Sequence, residues 1–157
     1  ALAVALQSSG DWKQARELYQ QLLTEQPENV LVINNLAWIL CEQEKKYSEA
    51  LQMADKGLKL KPDYTDLLDT RGVIYYRIQQ YPQSVRDLEQ CIRQYPQAAP
   101  ALTGTYFHLA RTQTKLGDVN AARENLSIAM ELNRTRGGLS EQEMDEANTL
   151  RVQMELR

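Results

Sequence analysis

Side chains that could carry out chemistry are few in this sequence, and they are scattered along it. The chain has one histidine, His108, and two cysteines, Cys41 and Cys91, which lie far apart. A zinc site needs several cysteine or histidine ligands at short spacing, and none surrounds these three residues. The sequence therefore predicts no metal site and no cofactor. It predicts two free thiols that pack as small apolar groups.

Catalytic motifs are also missing from the sequence pattern. Of the seven glycines, only Gly137 and Gly138 are adjacent, so a glycine-rich phosphate loop is not predicted. Nothing indicates the strained turn that presents a nucleophilic serine. The many carboxylates are spread over what the pattern predicts to be solvated helix faces. We therefore expect the chain not to be an enzyme.

Composition narrows the class of protein further. Hydrophobic residues make up 43% and charged residues 25%, as in ordinary globular proteins. The net charge of -3 argues against nucleic-acid binding, which usually needs a basic face. No apolar run approaches the roughly 20 residues of a membrane-spanning helix, and no signal peptide is evident. Two free cysteines are compatible with the cytoplasm and also with the periplasm.

A short turn motif recurs along the chain at a period of about 34 to 38 residues. Each copy has a turn, then an aromatic or apolar residue, and a small residue three positions later. The four copies are Gly10-Asp11-Trp12 with Ala15, Lys45-Lys46-Tyr47 with Ala50, Gln79-Gln80-Tyr81 with Ser84, and Gly117-Asp118-Val119 with Ala122. A proline follows the first three copies at one fixed distance, at Pro27, Pro62 and Pro96. Two markers with one period predict a true repeat.

Helical periodicity lies on both sides of each turn. Apolar residues before the second turn recur at helical spacing, at Ile33, Leu36, Ala37 and Leu40. After it the same spacing continues through Ala50, Met53, Ala54 and Gly57. Alternation with a period of two, typical of strands, is absent from the pattern. The predicted unit is therefore a helix, a tight turn, a second helix and a proline that ends it.

This unit resembles the tetratricopeptide repeat. The matching residues of the first copy are Gly10, Trp12, Ala15, Tyr19 and Pro27, and those of the last copy are Tyr106, Leu109, Ala110, Gly117, Ala122, Leu126 and Ala129. The resemblance extends from residue 1 to about residue 134. It implies an all-α, right-handed superhelical solenoid of antiparallel helix hairpins, in which small residues allow the helices to approach closely.

The pattern divides the chain into four repeats and a final helix. The predicted bounds are a truncated repeat at 1–29, full repeats at 30–64, 65–98 and 99–134, and a capping helix at 140–156. The first helix of the truncated repeat would need about five more residues before Ala1, so we expect the chain to be a fragment. One extra residue is predicted in the turn at Lys45-Lys46, and Pro82 and Pro100 are predicted in first helical turns.

The final helix has its own start signal. Thr135 to Leu139 is predicted to form a loop containing the paired glycines, and Ser140-Glu141-Gln142-Glu143 has the pattern of a capping box. The apolar residues that follow are separated by many charged ones. We therefore expect this helix to cover the last hairpin with a polar outer face.

The resemblance also implies where a ligand would bind. First helices line the concave side of such an array, so their inner faces supply the candidate peptide-binding residues. These are Asn34, Asn35 and Trp38 in the second repeat, Asp69, Thr70, Tyr76 and Arg77 in the third, and Phe107, His108, Arg111 and Lys115 in the fourth. Asparagine amides can pair with an extended peptide backbone, aromatic rings supply apolar area, and the arginines can bind a carboxylate.

One branch of the family clamps the carboxy-terminal carboxylate of chaperones, and the sequence disfavours that mode here. The branch uses asparagine in its second repeat, which Asn35 matches. Its basic positions in the third repeat are occupied by Asp66 and Thr70. We therefore expect a protein or peptide partner of a different kind. A self-assembling module that associates through exposed ends and a regulatory arm of a larger enzyme remain alternatives.

Overall fold

The computed structural model describes residues 2–95 and 102–155. Over these residues all regular elements are helical: nine α-helices and one short π-helical segment. The predicted all-α class of antiparallel helix hairpins is therefore confirmed. The chain divides into two compact units, Ala1–Ile78 and Gln79–Arg157.

The first unit holds five helices. These are α1 (Leu2–Ser8), α2 (Trp12–Glu25), α3 (Val30–Trp38), α4 (Tyr47–Leu60) and α5 (Thr65–Arg77). Helix α1 packs on α2, and α3 packs on α4, as the predicted hairpins require. Helix α5 contacts both α3 and α4. The first helices of two consecutive repeats, α3 and α5, therefore lie side by side.

The second unit holds four helices. These are α6 (Tyr81–Gln94), α7 (Leu102–Leu116), α8 (Val119–Arg136) and α9 (Glu141–Glu155). Helix α6 packs on α7, α7 and α8 form a hairpin, and α9 packs on both of them. Pro82 lies in the first turn of α6, as predicted. The predictions for Pro96, Pro100 and the final residue of the capping helix fall outside the described residues.

Small residues occupy the close contacts between helices, as the repeat pattern predicts. Ala15, Ala50 and Ala122 of the second helices are all 0% exposed. Gly57 of α4 is packed so tightly that an added Cβ would lie 2.4 Å from Leu67 Cδ1. A side chain at this position would therefore clash with the buried Leu67 side chain, which would have to shift.

The four turns share one backbone conformation. The first residue of each turn motif has a positive φ: 85° at Gly10, 57° at Lys45, 62° at Gln79 and 81° at Gly117. Glycine adopts this left-handed region without a steric cost, whereas a residue with a Cβ does not. The third repeat therefore carries a strained residue where the first and fourth repeats have glycine.

We expect Gln79→Gly to stabilise the fold by about 0.5–1 kcal/mol, because it relieves this strain. The same substitution at Gln83, inside α6, is the matched control and should destabilise by a similar amount. Urea denaturation of both variants measures the two changes. A Gln79→Gly variant less stable than the wild type would show that the strain is not there.

The extra residue of the second repeat lies in a helix and not in the turn, so this prediction was wrong. A π-helical segment, Ile39–Gln43, continues α3. At the following turn, the Lys46 amide donates to the Leu40 carbonyl at 2.8 Å, whereas the equivalent Asp11 amide donates to Leu6 at 2.9 Å. The ring closed by this backbone hydrogen bond is therefore one residue longer in the second repeat than in the first. A wider helical turn therefore absorbs the insertion.

The predicted capping box starts α9. The Ser140 backbone amide donates to Glu143 Oε2 at 2.8 Å, and the Glu143 amide donates to Ser140 Oγ at 3.3 Å. Helix α8 runs through Thr135 and Arg136, two residues past the predicted repeat end. It stops at Gly137, whose φ of 72° a residue with a Cβ would rarely adopt.

Candidate functional site

Two polar contacts join the neighbouring first helices α3 and α5. The Thr70 hydroxyl donates to Asn34 Oδ1 at 2.8 Å. Further along, Arg77 donates to Glu42 through Nε at 2.8 Å and through a terminal nitrogen at 2.6 Å. These contacts hold the two helices against each other at two points along their length. We call their predicted ligand-binding residues the first-helix face, comprising Asn34, Asn35, Trp38, Asp69, Thr70 and Tyr76.

The Glu42–Arg77 pair is a bidentate ion pair that is largely withdrawn from solvent. The side chain of Glu42 is 13% exposed and that of Arg77 is 31% exposed. Burial raises the pKa of Glu42, but the hydrogen bonds and charge of Arg77 outweigh it, so this pKa is lowered overall. The guanidinium group of Arg77 therefore already holds a carboxylate of its own chain. A partner's carboxylate, predicted from the sequence to bind here, would have to compete with Glu42 for this group.

The π segment sets the register of this pair. One more residue separates Asn34 from Glu42 than separates Thr70 from Arg77, yet both pairs are in contact. If residues 39–43 formed a regular α-helix, Cys41 would take the position opposite Arg77 that Glu42 occupies. Cys41 is instead buried, and its pKa is raised to about 12 by burial and by the Glu42 charge. Its thiol is therefore protonated and inert.

Asn35 contributes to packing inside the first unit. The buried Tyr19 hydroxyl donates to Gln7 Oε1 at 2.9 Å and is hydrogen-bonded to the Asn35 side chain. Since the only proton of the hydroxyl goes to Gln7, the Asn35 amide is the donor to Tyr19. Asn35 thus links α3 to α2, and a ligand would compete with this bond.

Three residues of the first-helix face combine partial exposure with apolar or acidic character. Trp38, Asp69 and Tyr76 are half-buried. Trp38 lies one helical turn after Asn34. In α5, Asp69 directly precedes Thr70 and Tyr76 directly precedes Arg77. Thr70 and Arg77 are the α5 residues of the two interhelical contacts. These three residues are therefore the partly accessible candidates of the first-helix face.

The candidates of the fourth repeat lie in the second unit, and most are covered there. Phe107 is 0% exposed and belongs to a core cluster with Leu126 of α8 and with Ala147 and Met154 of α9. Phe107 is therefore a core residue of the second unit. Lys115, in the last turn of α7, is exposed.

His108 and Arg111 face carboxylates of the capping helix. His108 Nε2 lies 3.4 Å from Glu143 Oε1, and an Arg111 terminal nitrogen lies 3.7 Å from Glu146 Oε2. The side chains of His108 and Arg111 are only 7% and 5% exposed. The Glu146 carboxylate of α9 thus lies beside Arg111, where the sequence predicted that the carboxylate of a ligand would bind.

The capping helix should lose stability in acid through Glu143. Burial raises its pKa, but hydrogen bonds from His108 and from the amide and hydroxyl of Ser140 outweigh burial, so the pKa falls to about 2. A carboxyl whose folded pKa is depressed stabilises the fold above its unfolded pKa, here 4.5. This contribution, on the order of 1–3 kcal/mol, is lost as pH falls from about 4.5 to about 2.

We therefore expect Glu143→Gln to destabilise the chain at pH 7 and to have little effect near pH 2. The difference in unfolding free energy between wild type and variant, measured by urea denaturation from pH 7 to pH 2, reports this loss. Glu141→Gln, an exposed substitution in the same helical turn, is the control. An equal pH dependence for both variants would rule out the Glu143 contacts as its cause.

Sequence reasoning missed the acidic partners of the candidate bases. Glu42 and Glu146 fall among the carboxylates predicted to be solvated, and Glu143 is predicted only as a capping-box residue, although each lies against a candidate residue. A signal was present for Glu42, because it lies one repeat length before Arg77.

In the residues the structure describes, no three His, Cys, Asp or Glu side chains are grouped to hold a metal ion. Nor is any described helix both long and apolar enough to cross a membrane.

Comparison with known families gives consistent matches along the chain. Three models described as tetratricopeptide repeat match residues 1–65, 37–103 and 103–136. A curated relative, the TPR repeat-containing protein PA4667 of Pseudomonas aeruginosa, is 32% identical over 75 residues. That match covers 48% of this chain and only 13% of the relative. The chain therefore spans a small part of the relative's length.

Solved structures share the fold at lower identity. YrrB, a TPR protein with an unusual peptide-binding site, is 20% identical with a TM-score of 0.69, over 87% of this chain and 63% of YrrB. The TPR2B domain of yeast Sti1, in a complex with pHsp70, is 15% identical with a TM-score of 0.66, over 78% of this chain and 94% of that domain. The chain belongs to the tetratricopeptide repeat family.

Proposed function

We propose that this chain is a protein-interaction scaffold that binds an extended peptide segment of a partner along its first helices. The observation that carries the proposal is the first-helix face, where two interhelical contacts fix α3 and α5. A fixed surface loses little conformational entropy when a ligand binds. Two structural neighbours, YrrB with its unusual peptide-binding site and the TPR2B domain of Sti1 in a complex with pHsp70, support the same class of function.

Each half-buried group on this face has a distinct role in the proposal. Trp38 and Tyr76 supply apolar area, and both residue types are frequent binding hot spots. Asp69 provides an acceptor for backbone amides or a basic side chain. Arg77 acts indirectly, by holding α5 against α3 through Glu42. No catalytic residue enters the proposal.

Selection from a phage-displayed random peptide library tests the proposal without a known partner. Selected peptides are synthesised with a fluorophore, and their affinity for the wild-type chain is measured by anisotropy. We expect Trp38→Ala to weaken binding by about tenfold or more. Leu60→Ala, which truncates a 41% exposed residue of α4, is the matched control and should leave affinity unchanged.

Folding must be separated from binding in this test. Circular dichroism and thermal unfolding of each variant show whether Trp38→Ala keeps the native fold, and Tyr76→Phe offers a milder second variant. Unchanged affinity in a folded Trp38→Ala chain would contradict the proposal, as would an equal loss in Leu60→Ala.

A further inference from the structure

A groove between α8 and α9 in the second unit is separate from the first-helix face. Its volume is about 650 Å³, within the range of roughly 300–1,000 Å³ that is usual for ligand sites. Its apolar lining comes from Leu126 and three methionines, Met130, Met144 and Met154. The chain has four methionines, so three of the four line this one groove. Methionine is flexible and polarizable and is over-used at adaptable binding surfaces.

The dimensions of the groove follow from contacts between its two helices. At one end, the Asn133 amide donates to Met144 Sδ at 3.1 Å. At the other end, Arg123 donates to the Met154 carbonyl at 2.7 Å. These contacts show that α8 and α9 run antiparallel. The stretch of α8 from 123 to 133 is about 15 Å long at 1.5 Å per residue, which matches about three turns of a helix.

Charge around the groove selects the sign of the ligand. Three arginines line it, against two glutamates, on a chain whose net charge is -3. Arg134 is paired with Glu131 at 2.7 Å. Arg123 and Arg151 lie towards the other end, since Arg123 contacts Met154 and Arg151 is one helical turn before Met154. Glu155 of α9 lines the same end, so the lining carries a net charge of +1, three arginines against two glutamates, around an apolar floor.

We propose that this groove binds a short acidic amphipathic helix of a partner protein. Apolar side chains at helical spacing would contact mainly the half-buried Met130 and Met144, above the buried Leu126 and Met154, as in helix-in-groove recognition. Carboxylates on the flanks of that helix would pair with Arg123 and Arg151. The groove thus provides a second interaction surface, of a different chemistry from the first-helix face.

A synthetic peptide tests this directly. The probe is a helical peptide of about 14 residues, with leucines on one face and glutamates on the other. Its counterpart has lysine at each glutamate position. The chain is labelled with ¹³C at the methionine methyl groups, so that Met130, Met144 and Met154 report on the groove. Met53 of α4, in the first unit, is the internal control.

We expect the glutamate peptide to shift the three groove methionine signals and not that of Met53. It should bind about tenfold or more tightly than the lysine peptide. Arg151→Glu should weaken it by a similar factor, and Arg151→Gln should weaken it less. Arg93→Glu, on α6 in the same unit and with its side chain 64% exposed, is the matched control and should have no effect.

Several results would overturn the proposal. These are the absence of groove signals that respond to the glutamate peptide, equal binding of the two peptides, and an equal loss in the Arg93→Glu control. Groove signals that shift with protein concentration alone would instead assign the groove to a second copy of this chain. Circular dichroism of each variant verifies that the capping helix is still formed.

Discussion

Phe107→Ala is expected to lower the free energy of unfolding by about 3–5 kcal/mol, the usual effect of removing a large buried ring. Phe107 is fully buried between α7, α8 and α9, with Leu126, Ala147 and Met154 in the same cluster. The cavity would therefore open where the capping helix is anchored. Guanidinium denaturation followed by circular dichroism measures the loss.

The two tryptophans, Trp12 and Trp38, both lie in the first unit, so their fluorescence reports on that unit. Measuring both signals shows how far a defect in the second unit spreads. Lys115→Ala, on the exposed part of α7, is the control and should change stability little. A loss under about 1 kcal/mol in Phe107→Ala would contradict the buried position and favour the ligand-binding role predicted from sequence.

Breaking the Glu42–Arg77 pair is expected to have the second largest effect. Glu42→Gln or Arg77→Met alone should destabilise the first unit by about 1.5–3 kcal/mol, because each leaves a poorly solvated charge without its partner. The double variant should lose less than the sum of the two, since neither charge then remains. A double-mutant cycle by urea denaturation, followed by tryptophan fluorescence, measures this coupling.

The exposed pair Glu131–Arg134 provides the comparison for this cycle. Both of its side chains are more than half exposed, so solvent screens their attraction. We expect no measurable coupling there. Additive losses at Glu42 and Arg77 would show that the two side chains act independently, and the fixed register of α3 and α5 would need another cause.

Most of the fold could be predicted because the repeat signals are local. Gly10 and Gly117 mark turns that need a positive φ, Ala15 and Ala122 mark close helix contacts, and Ser140 marks a helix start. The turn and cap signals depend on backbone geometry within a few residues, and the alanines recur at the repeat period. Periodicity therefore predicted the hairpins and the capping helix from a single sequence.

The candidate site was harder to predict because it depends on contacts between helices. The pattern placed Arg77 and Arg111 on first helices but could not show that Glu42 and Glu146 lie against them. It also could not distinguish a groove aromatic from a core one at Phe107, because α9 packs on α7 in a way that periodicity does not specify. Hydrophobic spacing gives the side of a helix that is buried, and the neighbour that buries it remains undetermined.

The π segment at 39–43 bears on how such repeats should be aligned. A gap placed by period alone falls in the turn at Lys45-Lys46 and treats residues 39–43 as a regular helix, which would bring Cys41 to the position that Glu42 takes. The gap belongs inside the helix, because Lys45 has the same φ sign as Gly10 and Gln79. Evolutionary comparison of repeats with unequal length should therefore permit insertions within helices as well as in loops. Residues beyond such an insertion are then compared with their true spatial equivalents.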